Sequence, residues 1–189
     1  MLILGLTGST GVAAYGVVAN LSLVGMAIMN GMAQGVQPLI SESFGKGAFD
    51  DVKKLLHWGL TCVVAIEIIM VALVWSFTDP FISVFNSENN QLLLEYAHVG
   101  LRLYFLGFLF AGVNIVLVAY FSATANARPA IIGSLLRGAV AIGICAIVLS
   151  RIFGMNGVWL SFLVSEVLTF IIVLLLARHK ESRKTNAYV

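Results

Sequence analysis

Gly31-Met-Ala-Gln-Gly-Val-Gln-Pro-Leu-Ile-Ser-Glu-Ser-Phe-Gly-Lys-Gly47 closes a long apolar segment with a row of amides, one proline and a Gly-rich exit. Asn30, Gln34, Gln37 and Ser41 share one narrow face of a helix at about 100° per residue. Asn20 lies within about 80° of that face. Gly31 and Gly35 form a GxxxG on its flank, where another helix can approach closely. Amides are costly against lipid, so this face is expected to look into protein or a water-filled cavity. Each amide alone is also compatible with simple interhelical hydrogen bonding. As a set on one face, they read as the wall of a polar pathway.

The rest of the chain explains why lipid is the relevant solvent. Of 189 residues, 60% are hydrophobic and 11% charged. Mean hydropathy is +0.99. A soluble domain carries roughly 25% charged residues. The composition therefore predicts an all-α, polytopic membrane helix bundle. The net charge of +2 gives no footprint for nucleic acid, because the basic residues sit in short loops and the tail. Cys62 and Cys145 lie in apolar segments without metal-ligand spacing. His57, His98 and His179 form no cluster, and no GxSxG, P-loop or HExxH occurs, so no enzyme, metal site or cofactor is expected.

In chain order, Met1 to Leu6 is too short to span, and Thr7 to Gly11 reads as a turn. Such an opening looks like the end of a truncated preceding helix. Five spans are then predicted at about 12–41, 52–77, 92–124, 129–153 and 158–177. The first, at about 45 Å, exceeds the roughly 30 Å hydrocarbon core, so it should tilt or project. Glu42 to Lys54 reads as a loop, as does Thr78 to about Asn90. Gly100, Gly107 and Gly112 interrupt the third span. Gly154 to Gly157 reads as a turn, and 178–189 as a basic tail that fixes topology and touches anionic lipid.

Lys46, Lys53, Lys54, Arg128, Arg178, Lys180, Arg183 and Lys184 all fall in alternate connections and the tail. The positive-inside rule then places the N-terminus outside and the C-terminus in the cytoplasm. Glu67 lies roughly 20 Å from the inner face, Glu166 roughly 18 Å and Arg137 roughly 12 Å. A short turn joins the helices of Arg137 and Glu166, so these two are expected to pair. Glu67 is then a coupling carboxylate, or is paired or protonated at the bundle surface. Tyr104, Phe105, Phe108, Phe110, Tyr120 and Phe121 line an aromatic cavity or simply pack.

Gly11-Val-Ala-Ala-Tyr-Gly-Val-Val-Ala-Asn20, Gly31-x-x-Gln-Gly-x-Gln-Pro38 and Phe44-Gly-Lys resemble multidrug and toxic compound extrusion (MATE) transporters. Phe85-Asn, Gly100-x-Arg102, Tyr120-Phe-x-Ala, Leu136-Arg137, Phe153-Gly-x-Asn-Gly-Val-Trp159 and Ser165-Glu166 extend the resemblance in order along the chain. It is strongest to bacterial multidrug exporters of the clostridial type. The resemblance implies a twelve-helix fold of two six-helix lobes, with the five spans here matching the last five of the second lobe. Met1 to Leu6 would end the seventh family helix. It also implies export of cationic or amphipathic small molecules in exchange for sodium or protons, a plasma-membrane location, and a missing N-terminal lobe or second subunit as partner.

The chain departs from one family branch, which carries a carboxylate on the helix corresponding to the third span. No Asp or Glu occurs between Glu95 and Glu166, and Asn114 stands on that span instead. Asn20, Asn30, Gln34, Gln37 and Asn114 are the candidate substrate-pathway residues. Glu67, Arg137 and Glu166 are the candidate buried charges, structural or coupling. Lipid-linked oligosaccharide flipping, or a non-transporting remnant, is the alternative function. A flippase calls for more basic side chains around a central cavity than Arg102 and Arg137 supply.

Overall fold

The computed structural model describes residues 2–87 and 89–185, and every regular element among them is helical. The elements are α1 (Leu2–Gly45), α2 (Phe49–Ser76), α3 (Thr78–Phe85), α4 (Gln91–Phe105), α5 (Phe108–Ala123), α6 (Ala127–Leu135), a π-helical turn (Leu136–Val140) and α7 (Ala141–Thr185). Three helices are long and apolar enough to cross a membrane: Leu2–Gly45, Phe49–Ser76 and Ala141–Arg178. The pair α4 and α5, bent by 40° at its break, makes a fourth if counted as one span.

A few polar and charged side chains lie inside the bundle while large apolar ones lie outside it. Glu67, Asn114 and Glu166 are buried, whereas Leu23, Val24, Ile68, Ile69, Ile144 and Ile152 are exposed. Large exposed apolar areas are untenable in water and natural in lipid. The core between helices holds Ala14 and Val18 of α1, Phe105 and Phe108 beside them, and Trp159 of α7. Tyr15 stacks on Trp159 at 5.7 Å and Tyr104 on Phe162 at 4.5 Å. Phe105 and Phe108 stack at 4.9 Å, so these aromatics serve packing.

Glycines set where the long helices break. Gly8 (φ 67°, ψ −160°) and Gly154 (φ 58°, ψ −133°) hold conformations that side chains with a Cβ rarely adopt. The turn expected over Thr7 to Gly11 is concentrated at Gly8, and the one over Gly154 to Gly157 at Gly154. The Gly154 break reverses the chain. Were the helix straight, Arg137 and Glu166 would stand about 43 Å apart, yet their side chains touch.

Other expected boundaries move for local reasons. The loop expected over Glu42 to Lys54 shrinks to residues 46–48, with Gly47 at φ 72°. Most of its charges are helical surface instead: Glu42 on α1 pairs with Lys46 in the remaining turn at 2.5 Å, and Lys54 with Asp51 on α2 at 3.5 Å. The loop expected at Thr78 to Asn90 contains α3. Pro80 is tolerated there because first-turn N–H groups have no helical acceptor. Asn90 caps α4, its side chain accepting from the Leu92 and Leu93 N–H groups. Of the three glycines in the third span, only Gly107 adjoins a break; Gly100 and Gly112 sit inside regular helix and admit a neighbour's side chain. The basic tail is helical through Thr185, and 186–189 lie outside the described residues.

Candidate functional site: a buried carboxylate layer

Glu67 on α2, Asn114 on α5, Arg137 in the π turn and Glu166 on α7 form a polar layer inside the apolar bundle. Arg137 Nε lies 3.2 Å from Glu166 Oε2 and donates to it. Asn114 Nδ2 donates to the same Oε2 at 2.7 Å and to the Glu166 main-chain oxygen at 2.9 Å. Glu67 Oε1 accepts from the Gly112 N–H at 2.6 Å and the Val113 N–H at 3.3 Å. Glu67 Oε2 and Asn114 Oδ1 are buried with no hydrogen-bond partner. Three consecutive residues of α5 thus hold both carboxylates, Glu67 through main-chain donors and Glu166 through a side-chain amide.

Local sequence makes this possible. Gly112 lets the Glu67 carboxylate reach the α5 backbone, since a Cβ there would stand 2.5 Å from Oε1 and 2.6 Å from Met29 Sδ. The donors are the fifth and sixth residues of α5, just past its start. The break before Phe108 creates that helix start in the bundle interior, and Gly107 leaves room for Phe162, whose Cδ1 would lie 2.4 Å from a Cβ. The π turn carrying Arg137 adds a residue to its helical turn, which rephases the helix by about 100°. On α7, Ser161, Ser165 and Thr169 spend their hydroxyls on their own helix's carbonyls, leaving Glu166 as the side chain that reaches across.

The expected pairing of Arg137 with Glu166 is present. Glu67 is not at the bundle surface, as one reading had it, but 1% exposed in the core. The proposed pathway residues divide. Asn20, Asn30 and Gln34 are exposed on α1 and Gln37 is half-buried, while Asn114 is fully buried beside Glu166. Asn30 Nδ2 donates to its own helix at Met26 O, 2.8 Å away. Among the described residues nothing stands within 4 Å of a Cβ at Gly31 or Gly35, so no helix among them fills that GxxxG. Sequence reasoning missed the Gly112 and Val113 N–H groups. Gly112 was visible as a glycine in a span, but main-chain donors carry no side-chain signature.

The MatE family model matches residues 1–147. The chain is 27% identical to the multidrug export protein MepA of Staphylococcus aureus strain NCTC 8325 over 180 residues, covering 94% of this chain and 39% of that protein. The MepA of Staphylococcus saprophyticus is 26% identical over the same length. The chain therefore spans about two fifths of the curated relatives it matches. Among solved structures, an inward-facing multidrug resistance MATE family transporter superposes with a TM-score of 0.87, covering 100% of this chain and 43% of that one at 17% identity. An outward-facing one gives 0.85, covering 98% and 42% at 16% identity. With its helical fold, its buried polar layer and a match over most of its length, this chain belongs to the MatE family.

Proposed function

We propose that this chain is one lobe of a secondary active multidrug exporter that exchanges drug for protons or sodium across the plasma membrane. The observation that carries this reading is the outward amide face of α1. Asn20, Asn30 and Gln34 are exposed, and Gly31 and Gly35 stand open beside them. A polar, small-residue face on a membrane helix is costly against lipid and suits a second lobe across a wet cleft. The near-equal likeness to inward- and outward-facing structures supports a lobe that moves as a body while its partner rocks against it. The flippase alternative needs basic side chains free to meet a pyrophosphate, and Arg137 is already committed to Glu166.

On this reading the chain is the second lobe without its first helix, and it crosses the membrane five times. Residues 9–45, α2, the bent pair α4 and α5, the stretch 127–153, and the stretch after Gly154 are the spans. The N-terminus is outside and the C-terminus inside. The sided labelling of single cysteines tests this. In a background lacking Cys62 and Cys145, an impermeant thiol reagent added to intact cells is expected to label Asn89→Cys and to spare Ser182→Cys. The reverse pattern overturns the topology.

Alternating access needs two lobes around a central site. Expressed by itself in a drug-sensitive host, the 189-residue chain is expected to leave resistance to cationic dyes unchanged. Co-expression with a matching first lobe is expected to raise it. Efflux by the chain alone, with crosslinking showing no self-association, would refute the one-lobe reading.

A further inference from the structure

We propose that Glu67 is a proton carrier, holding one exchangeable proton on Oε2 within the buried layer of α2, α5 and α7. The first argument is charge. Glu67 and Glu166 are both buried, and among the described residues Arg137 is the cation in contact with this layer. Arg137 bonds Glu166, and that pair is neutral. A second ionised carboxylate would leave one uncompensated negative charge in a low-dielectric interior, which is strongly disfavoured.

The second argument is hydrogen-bond accounting. An ionised carboxylate seeks donors at both oxygens. Oε1 has two, from Gly112 and Val113, and Oε2 has none. Protonation turns Oε2 into a donor. The layer also contains an acceptor without a donor, Asn114 Oδ1, because Asn114 Nδ2 is turned to Glu166. Asn114 follows directly on α5 after the residues that hold Oε1. One proton therefore supplies the missing charge and gives Oε2 a hydrogen to donate in a layer that holds an acceptor without a donor.

A metal cation fits less well. Among the described residues no group of three His, Cys, Asp or Glu can hold one. Two oxygens without donors fall short of the six or more that hard cations such as calcium take. The other ionisable groups around the layer are Glu166 on α7, Arg137 in the π turn and Tyr104 on α4, which stacks on Phe162. Of those on α1, Tyr15 stacks on Trp159 and lies near Tyr104, and Glu42 pairs with Lys46 away from the layer.

The inference rests on the exporter reading, since it makes the proton the coupling ion, but its test needs no transport. The full chain, labelled with carboxyl-13C glutamate and placed in lipid nanodiscs, is examined by infrared difference spectroscopy at neutral pH. A protonated-acid carbonyl band is expected in the wild type, lost in Glu67→Gln and kept in Glu42→Gln, which changes an exposed glutamate outside the layer. The same Glu67→Gln sample is expected to melt within a few degrees of wild type, because Gln keeps the neutral shape. No band in the wild type, a band that survives Glu67→Gln, or a Glu67→Gln chain that does not fold would each overturn the proposal. A charged Glu67 would leave the one-lobe reading standing, and failed export would leave the band standing.

Discussion

Arg137→Met is expected to destabilise the folded bundle by about 3–5 kcal/mol, the largest single effect in this protein. Arg137 is half-buried and Glu166 almost wholly so, with 3.2 Å between Nε and Oε2. Removing the guanidinium leaves Glu166 buried without its counter-ion, so that it must carry an unpaired charge or take up a proton at a cost, with Asn114 as the side chain that still donates to it. Glu166→Gln by itself is expected to cost about as much, because the guanidinium then lacks its counter-ion. Arg137→Met with Glu166→Gln removes both charges. The double variant is expected to recover much of the loss, since a buried ion pair replaced by neutral groups of similar volume is often close to neutral. Melting in detergent, followed by fluorescence-detected size exclusion, gives the cycle. Coupling of about 2 kcal/mol or more is expected, and losses that merely add would show that the two side chains do not interact.

The second large effect is steric. Gly157→Ala is expected to cost about 3 kcal/mol, at the upper end of ordinary overpacking. A Cβ at position 157 would stand 2.0 Å from the Leu149 carbonyl oxygen and 2.8 Å from the Ser150 nitrogen. Both are main-chain atoms, so no rotamer change relieves the collision. The two arms of α7 that meet across the Gly154 break must separate there. That separation loosens the Arg137–Glu166 contact as well. Gly143→Ala on the same helix is the control, because nothing lies within 4 Å of its Cβ. It is expected to be neutral or stabilising by up to about 1 kcal/mol, since Ala favours helix over Gly. Equal melting shifts for the two variants would show that the tight approach at Gly157 is unimportant.

Much of the fold was legible because lipid simplifies the reading. Apolar runs long enough to cross a bilayer must be helical, since only a helix satisfies its own backbone there. The pairing of Arg137 with Glu166 was legible too, from similar depth and a short connection. The 40° break between α4 and α5 was not, because three glycines in that span look alike in sequence and only Gly107 adjoins the break. Nor was α3, whose Thr78-Asp79-Pro80 start reads equally as the end of a helix or the beginning of one.

The sequence by itself determined the solvent, the helical class, the spacing of the amide face on α1 and the presence of three ionisable side chains inside apolar segments. These follow from composition and periodicity, which depend on residues near one another in the chain. Only the tertiary structure decided that Asn114 leaves the pathway set and joins Glu166, and that Gly112 and Val113 offer their N–H groups to Glu67. It also decided that the amide face of α1 points away from this bundle. Those outcomes depend on which helices meet and at what rotation, and the close approaches at Gly107, Gly112 and Gly157 fix both. A glycine shows in sequence that a neighbour can come close; which neighbour comes is settled only when the whole bundle packs.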